Sequence, residues 1–221
     1  MLIQKHKMPI KWWLGLTVSF LLLAILVKFQ LLTGLDELLI KGVQANTSAT
    51  KDFFFKLITI LAQPTLDLFY AALIAGFLWF HRHTSEAIWV ILTIFGGDAI
   101  ASVVKKLVAR QRPAIKIILP ENGYSFPSGH VLGTTIILLF ICVFWINHLK
   151  NKWQQSLCYI VGVLLLLLVS YSRVYLGAHY PSDVLGAILL ALIWGEAALW
   201  LYQHYFLRLQ KKVVRPRHAK Y

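Results

Sequence analysis

Charge is scarce in this chain. Of its 221 residues only 14% are charged, and just nine are acidic, whereas a water-soluble domain carries about a quarter charged residues. A surface that poor in charge excludes an ordinary soluble globular protein. Cysteine is scarcer still. Cys142 and Cys158 stand in separate apolar runs, with no CxxC and no metal-ligand spacing. That excludes a disulfide scaffold and a thiolate metal site, and both read as small buried hydrophobes. The carboxylates do not cluster as a divalent-ion site would require, so no metal and no cofactor is expected. Internal repeats and low-complexity linkers are also missing, and the length suits a single domain, 1–221.

What the chain has instead is apolar length. Hydrophobic residues make up 58% of it and the mean hydropathy is +0.67. Six apolar segments follow one another: 12–32, 57–80, 87–108, 131–146, 157–171 and 184–205. A bilayer span takes roughly 20 such residues. The first segment is longer than a signal-peptide core and lacks a small-x-small site after it, so it reads as a retained helix. The expected fold is therefore all-α, an integral membrane bundle of six transmembrane helices. Trp12, Trp13, Trp79, Trp145 and Trp200 fall near segment ends and suit an aromatic belt. Residues 36–55 predict a short interfacial helix on the outer side, read as surface anchoring in preference to a border for lipid access.

The formal net charge is +13. Most of it orients the bundle. Lys5, Lys7 and Lys11, then His81-Arg82-His83, then Lys150 and Lys152, then the basic tail 207–221 all fall on one side of a six-span layout. The positive-inside rule makes that side cytoplasmic, with both termini there. Nucleic acid is a poor partner for these charges, which are scattered over loops without interleaved surface aromatics. One loop breaks the rule. Lys105, Lys106, Arg110, Arg112 and Lys116 lie on the opposite, outer side. A basic cluster on the wrong side needs a local reason, and an anionic substrate supplies one.

Three short blocks carry chemistry. In Lys105-x6-Arg112-Pro113, proline disfavours helix at the preceding residue, so a helix stops near Arg112, and lysine and arginine converge on one anion from helix end and loop. In Pro127-Ser128-Gly129-His130, Ser128 is a good N-cap for the apolar helix that follows. The free N–H groups at that helix start, with Gly129 among them, form a phosphate cradle beside His130. In Ser172-Arg173-x5-His179-x3-Asp183, Pro181 suits the first turn of the last helix. Asp183 then reaches one imidazole nitrogen of His179 and leaves the other free to attack. Each block has a plain reading as a solvated helix end, a capped helix or a structural hydrogen bond. Together, on one membrane face, they point to phosphoryl transfer.

At these positions the chain resembles the type 2 phosphatidic acid phosphatase (PAP2) family, relatives of the vanadium haloperoxidases. The family pattern KX6RP, PSGH and SRX5HX3D is matched at every fixed position within the core 105–183, and the likeness is greatest to the small bacterial membrane members. The resemblance implies a PAP2/haloperoxidase-like core and a membrane lipid phosphatase at the outer face of the plasma membrane. Its partners would be the bilayer and a lipid phosphate or diphosphate, with undecaprenyl diphosphate, phosphatidylglycerophosphate and phosphatidate as candidates. It also implies roles. His179 would attack phosphorus to give a phosphohistidine, Asp183 would orient it, and His130 would protonate the leaving oxygen and then activate water. Lys105, Arg112, Ser128, Gly129 and Arg173 would hold the phosphoryl oxygens, with no metal. A phosphotransferase is the alternative use of the same phosphoenzyme. The intact His179, His130 and Asp183 argue against a non-catalytic lipid-binding protein. No feature of the pattern specifies an oligomeric state.

Three buried-segment carboxylates stand apart. Asp98, two helical turns before Lys105, either backs the phosphate site or packs against Ser102, and Asp67 is equally open. Glu196 lies deep in the last segment and reads as structural.

Overall fold

A computed structural model describes residues 9–114 and 121–206. Lys5, Lys7, Lys116 and the tail 207–221 lie outside the described residues. Among the described residues there are eight α-helices: α1 (Ile10–Lys28), α2 (Thr33–Gln44), α3 (Ala49–Leu61), α4 (Pro64–Phe80), α5 (Thr84–Val108), α6 (Gly129–Phe144), α7 (Lys152–Tyr175) and α8 (Pro181–Leu201). A 3-10 turn follows α6 and a π turn follows α8. By length and composition α1, α5, α6, α7 and α8, two of them extended by those turns, are each sufficient to cross a membrane. The pair α3 and α4, bent by 46° at its break, makes a sixth when counted as one span. The protein is an all-helical, multi-pass membrane protein.

Two expectations from the sequence need correction. The second apolar segment is not one straight helix. Ala62 and Gln63 leave helical geometry ahead of Pro64, because proline lacks the N–H of an internal helical hydrogen bond and restricts the residue before it. The predicted single interfacial helix over 36–55 is two helices. The α2 helix ends at Gln44, and Ser48 caps α3 by accepting from the Lys51 N–H at 3.3 Å. In α2 the polarity is inverted for water: Asp36 and Ile40 are buried while Leu35, Leu38 and Leu39 are exposed. That pattern suits a helix seated against lipid.

Inside the bundle, α4 packs on α5, and α8 lies against both α1 and α6. Indole N–H groups join helices where no water competes: Trp89 Nε1 donates to the Ala198 carbonyl at 2.9 Å and Trp194 Nε1 to the Thr93 carbonyl at 2.7 Å. Gly186 lets α8 approach the Phe126 ring so closely that a Cβ there would collide with it. Because consecutive spans alternate in direction, the carboxyl ends of α5 and α7 and the amino ends of α6 and α8 meet at one end of the bundle.

Candidate active site

Local backbone geometry delivers His179. The α7 helix ends in a Schellman motif: Ala178 N–H bonds the Arg173 carbonyl at 3.1 Å and Gly177 N–H the Val174 carbonyl at 3.0 Å. Gly177 takes the left-handed conformation this requires, with φ 70°. The turn folds His179 back over the end of α7. Pro181 then opens α8, and Asp183 accepts the Tyr180 N–H on Oδ2 at 2.9 Å. His179 Nδ1 lies 3.5 Å from Asp183 Oδ2 and 3.4 Å from Ser125 Oγ. Ser125 also donates to Asp183 Oδ2. The other ring nitrogen, Nε2, is 3.3 Å from Arg112 Nη1. Burial pushes the imidazole down to about 4; Asp183 pulls it back up, while Arg173 and Arg112 press it lower.

Around Nε2 the cations gather. Arg173 is fully buried, with Nη1 donating to Thr59 Oγ1 at 2.8 Å. Arg112 reaches in from the loop, where Nη1 also donates to the Ala178 carbonyl at 2.9 Å. Lys105, in the last turn of α5, donates to the Tyr124 carbonyl at 2.9 Å. His130, in the first turn of α6, is within electrostatic reach of Arg173, Glu121, His179 and Arg112. Lys105, Arg112, His130, Arg173, His179 and Asp183 thus gather at one end of the bundle; the Ser128 N–H donates to the Asp183 carbonyl at 3.2 Å, and Gly129 follows it at the start of α6.

Two local details differ from the sequence reading. The α5 helix stops at Val108, not beside Arg112, because Ala109 turns left-handed with φ 53°; Arg112 therefore approaches from the loop that follows. Ser128 sits at the N-cap position of α6 but its side chain does not cap. Its Oγ is buried without a partner, as is Arg173 Nε.

A carboxylate that sequence reasoning passed over fills the centre. Glu121 accepts from Arg112 Nη1 at 2.8 Å, pairs with Arg173 Nη2, and lies 3.8 Å from His179 Nε2. Burial opposes its ionisation, but Arg173, His179 and His130 hold the carboxyl down at about 2. The signal available in sequence was its place as the lone acid in an otherwise basic loop. Ser125 and Asp36 were also missed, and Arg110 was read only as part of the outer basic cluster. Ser125 meets both His179 and Asp183, Arg110 meets Asp183, and Asp36 joins through Arg110. Among the described residues no three His, Cys, Asp or Glu side chains converge as a metal-ligand set. Asp67 has its carboxylate pressed against Gly133 of α6, and Cys142 and Cys158 are half-buried thiols.

Residues 86–207 match the family described as the PAP2 superfamily. The chain belongs to that superfamily. Among its PAP2 relatives, phosphatidylglycerophosphatase B of Bacillus subtilis is 30% identical over 181 residues, spanning 81% of this chain and 89% of the relative. An undecaprenyl-diphosphatase of Sulfolobus acidocaldarius is 29% identical over 190 residues, spanning 81% and 85%. A crystal structure of a transmembrane PAP2-type phosphatidylglycerolphosphate phosphatase from Bacillus subtilis superposes with a TM-score of 0.74 at 25% identity, covering 93% of this chain and 98% of that one. The protein is a PAP2 membrane phosphatase.

Proposed function

We propose that this PAP2 phosphatase hydrolyses a lipid phosphomonoester or diphosphate at the outer membrane face, with His179 as the nucleophile. The observation that carries the reading is Glu121. Arg112, Arg173 and the free nitrogen of His179 converge on a single anionic group, and a phosphoryl group is an anion of the same kind with one more oxygen. Ser128 Oγ and Arg173 Nε, both buried and unpaired, are groups that a phosphoryl oxygen would satisfy; leaving such groups unmatched costs about 1–3 kcal/mol each.

The chemistry runs in two displacements. The lone pair on His179 Nε2 forms the N–P bond as the bond from phosphorus to the lipid oxygen breaks. The departing oxygen takes its proton from His130. The Nδ1–H donates to Asp183 and keeps its proton, and the carboxylate stabilises the charge that develops on the ring. His130 then removes a proton from water, the new P–O bond forms, the N–P bond breaks, and phosphate leaves. Lys105, Arg112 and Arg173, with Ser128 and the Gly129 N–H, neutralise and position the phosphoryl oxygens throughout, which is where phosphoryl-transfer catalysis mostly arises. The named substrates of the relatives, phosphatidylglycerophosphate and undecaprenyl diphosphate, are the first candidates, with phosphatidate beside them. The basic segments on the other side support cytoplasmic termini.

A panel of these three lipids, presented to purified protein in detergent and scored by released phosphate, is the test. At least one is expected to turn over, and His179→Ala is expected to lose at least 1,000-fold in kcat with normal membrane insertion. Turnover by His179→Ala at the wild-type rate would remove the nucleophile assignment.

A further inference from the structure

His179 uses one oxygen of Asp183. The other oxygen, Oδ1, faces a second buried charge network. Arg110 Nη1 donates to Asp183 Oδ1 at 2.8 Å and to Ser182 Oγ at 2.7 Å. Its Nη2 donates to Asp36 Oδ2 at 2.7 Å. Asp36 in turn accepts the Ser182 N–H on Oδ1 at 3.0 Å and the Ser182 hydroxyl on Oδ2 at 2.5 Å. The guanidinium lies 3.8 Å from the centre of the Tyr180 ring. The Arg110 carbonyl accepts from the Ser125 N–H at 2.8 Å, and Ser125 is the residue whose hydroxyl holds Asp183 Oδ2. Both oxygens of Asp183 are therefore fixed by Arg110, one directly and one through its backbone. Asp36 is 2% exposed, Arg110 8% and Asp183 not at all, so these charges act on one another with little solvent screening.

The row of charges has a definite sign. Arg110 opposite Asp183 holds the carboxylate in place. By itself it would also cancel most of the negative field that Asp183 exerts on the imidazole. Asp36 adds a second negative charge on the far side of the guanidinium, so the trio carries a net single negative charge directed at His179. We propose that Asp36 and Arg110 are positioning residues for the nucleophile. Arg110 fixes Asp183, and Asp36, delivered by the lipid-seated helix α2, neutralises Arg110 so that Asp183 retains its pull on His179. The proposal rests on the reading of His179 as nucleophile.

The consequence is a pair of opposite shifts. Asp36→Asn leaves the Arg110 charge uncompensated. The field at His179 becomes more positive, the imidazolium is disfavoured, and the acid limb of kcat/KM moves to lower pH. Arg110→Gln leaves two carboxylates facing each other. The field becomes more negative and the limb moves to higher pH. Each shift is expected to be about one pH unit, with kcat reduced in both. The double variant returns the limb to its wild-type position. The other groups facing His179 stay in place in every variant: Lys105 from α5, His130 from α6, Arg173 from α7, and Arg112, Glu121 and Ser125 from the loop before α6. The ionisation of the substrate phosphate is likewise common to all.

The experiment is a kcat/KM pH profile, on whichever lipid of the panel turns over, for wild type, Asp36→Asn, Arg110→Gln and the double variant. Asp36→Asn changes no shape and decides the matter alone if Arg110→Gln fails to insert. Arg110→Lys, which keeps the charge, then serves as its partner, with the wild-type limb expected. Limbs that move in opposite directions support the pair. Slower turnover or lower thermal stability with unmoved limbs would mean only a clamp between α2 and α8, and would overturn the proposal, as would shifts of the same sign. His179→Ala is the control that separates the two readings: activity in that variant removes the nucleophile and the positioning proposal with it, whereas an inactive His179→Ala together with unmoved limbs removes the positioning proposal alone.

Discussion

His179 is held between opposed charges, and its behaviour with pH follows from their balance. Burial and the two arginines lower its affinity for a proton to about 4, against the support of Asp183. A base with a lowered pKa remains unprotonated further into acid. The nucleophile is then available through the whole neutral range, and the acid limb of wild-type kcat/KM attributable to the enzyme is expected well below the ordinary imidazole value of about 6.5. A limb at or above that value, measured with a substrate whose own ionisation is known, would contradict the burial argument. Glu121 makes a second prediction at this scale. Its carboxylate and an incoming phosphoryl group use the same donors on Arg112 and Arg173, so the two compete. Glu121→Gln keeps the shape and removes the charge, and inorganic phosphate is expected to inhibit that variant with a Ki several-fold lower than for wild type.

Among the elements, the connection from α7 to α8 contributes most to the site, because it sets where an imidazole sits relative to two helix ends. Gly177 adopts φ 70° there, a conformation that costs a residue with a Cβ about 1–2 kcal/mol. Gly177→Ala is expected to cost about that much stability, read as a lower melting temperature in detergent. The loss in kcat should be larger than that stability change alone accounts for, since the strain is relieved by moving His179 off the Arg173 carbonyl. Equal kcat in the two proteins would show that the turn is not what positions the ring. The bend between α3 and α4 is the other informative element. It brings Thr59, near the end of α3, to the guanidinium of Arg173, a contact that a straight helix through the same residues would not make in the same way.

For the molecule as a whole, the decisive quantity is the side of the membrane on which the cup opens. Alternation of the spans places Asn122 of the loop before α6 and Lys150 of the turn before α7 at opposite ends. With Cys142 and Cys158 replaced by serine, Asn122→Cys is expected to react with a membrane-impermeant thiol reagent added outside intact cells. Lys150→Cys is expected to react only after the membrane is opened. The reverse pattern would invert the topology and place the phosphatase chemistry on the cytoplasmic face.

The membrane class, the all-helical fold and the blocks that carry the family pattern were legible in the chain itself. Apolar length is a property of consecutive residues, and the spacing His179-x3-Asp183 places both groups at one helix start whatever surrounds them. The limits of the elements were less legible. Ala109 has no residue-type signal for its left-handed turn, and Ser128 has the chemistry of a cap yet keeps its hydroxyl unpaired in the cup. The rest was decided by tertiary structure. Arg110 reads as one more base in a basic loop, and Asp36 as one of two adjacent acids in a leucine-rich stretch, until folding brings them together across 74 residues. Glu121 likewise acquires its meaning only when α5, α6, α7 and α8 end at the same place. Charges interact through space, and a linear pattern records which groups exist but not which of them share a solvent-excluded volume.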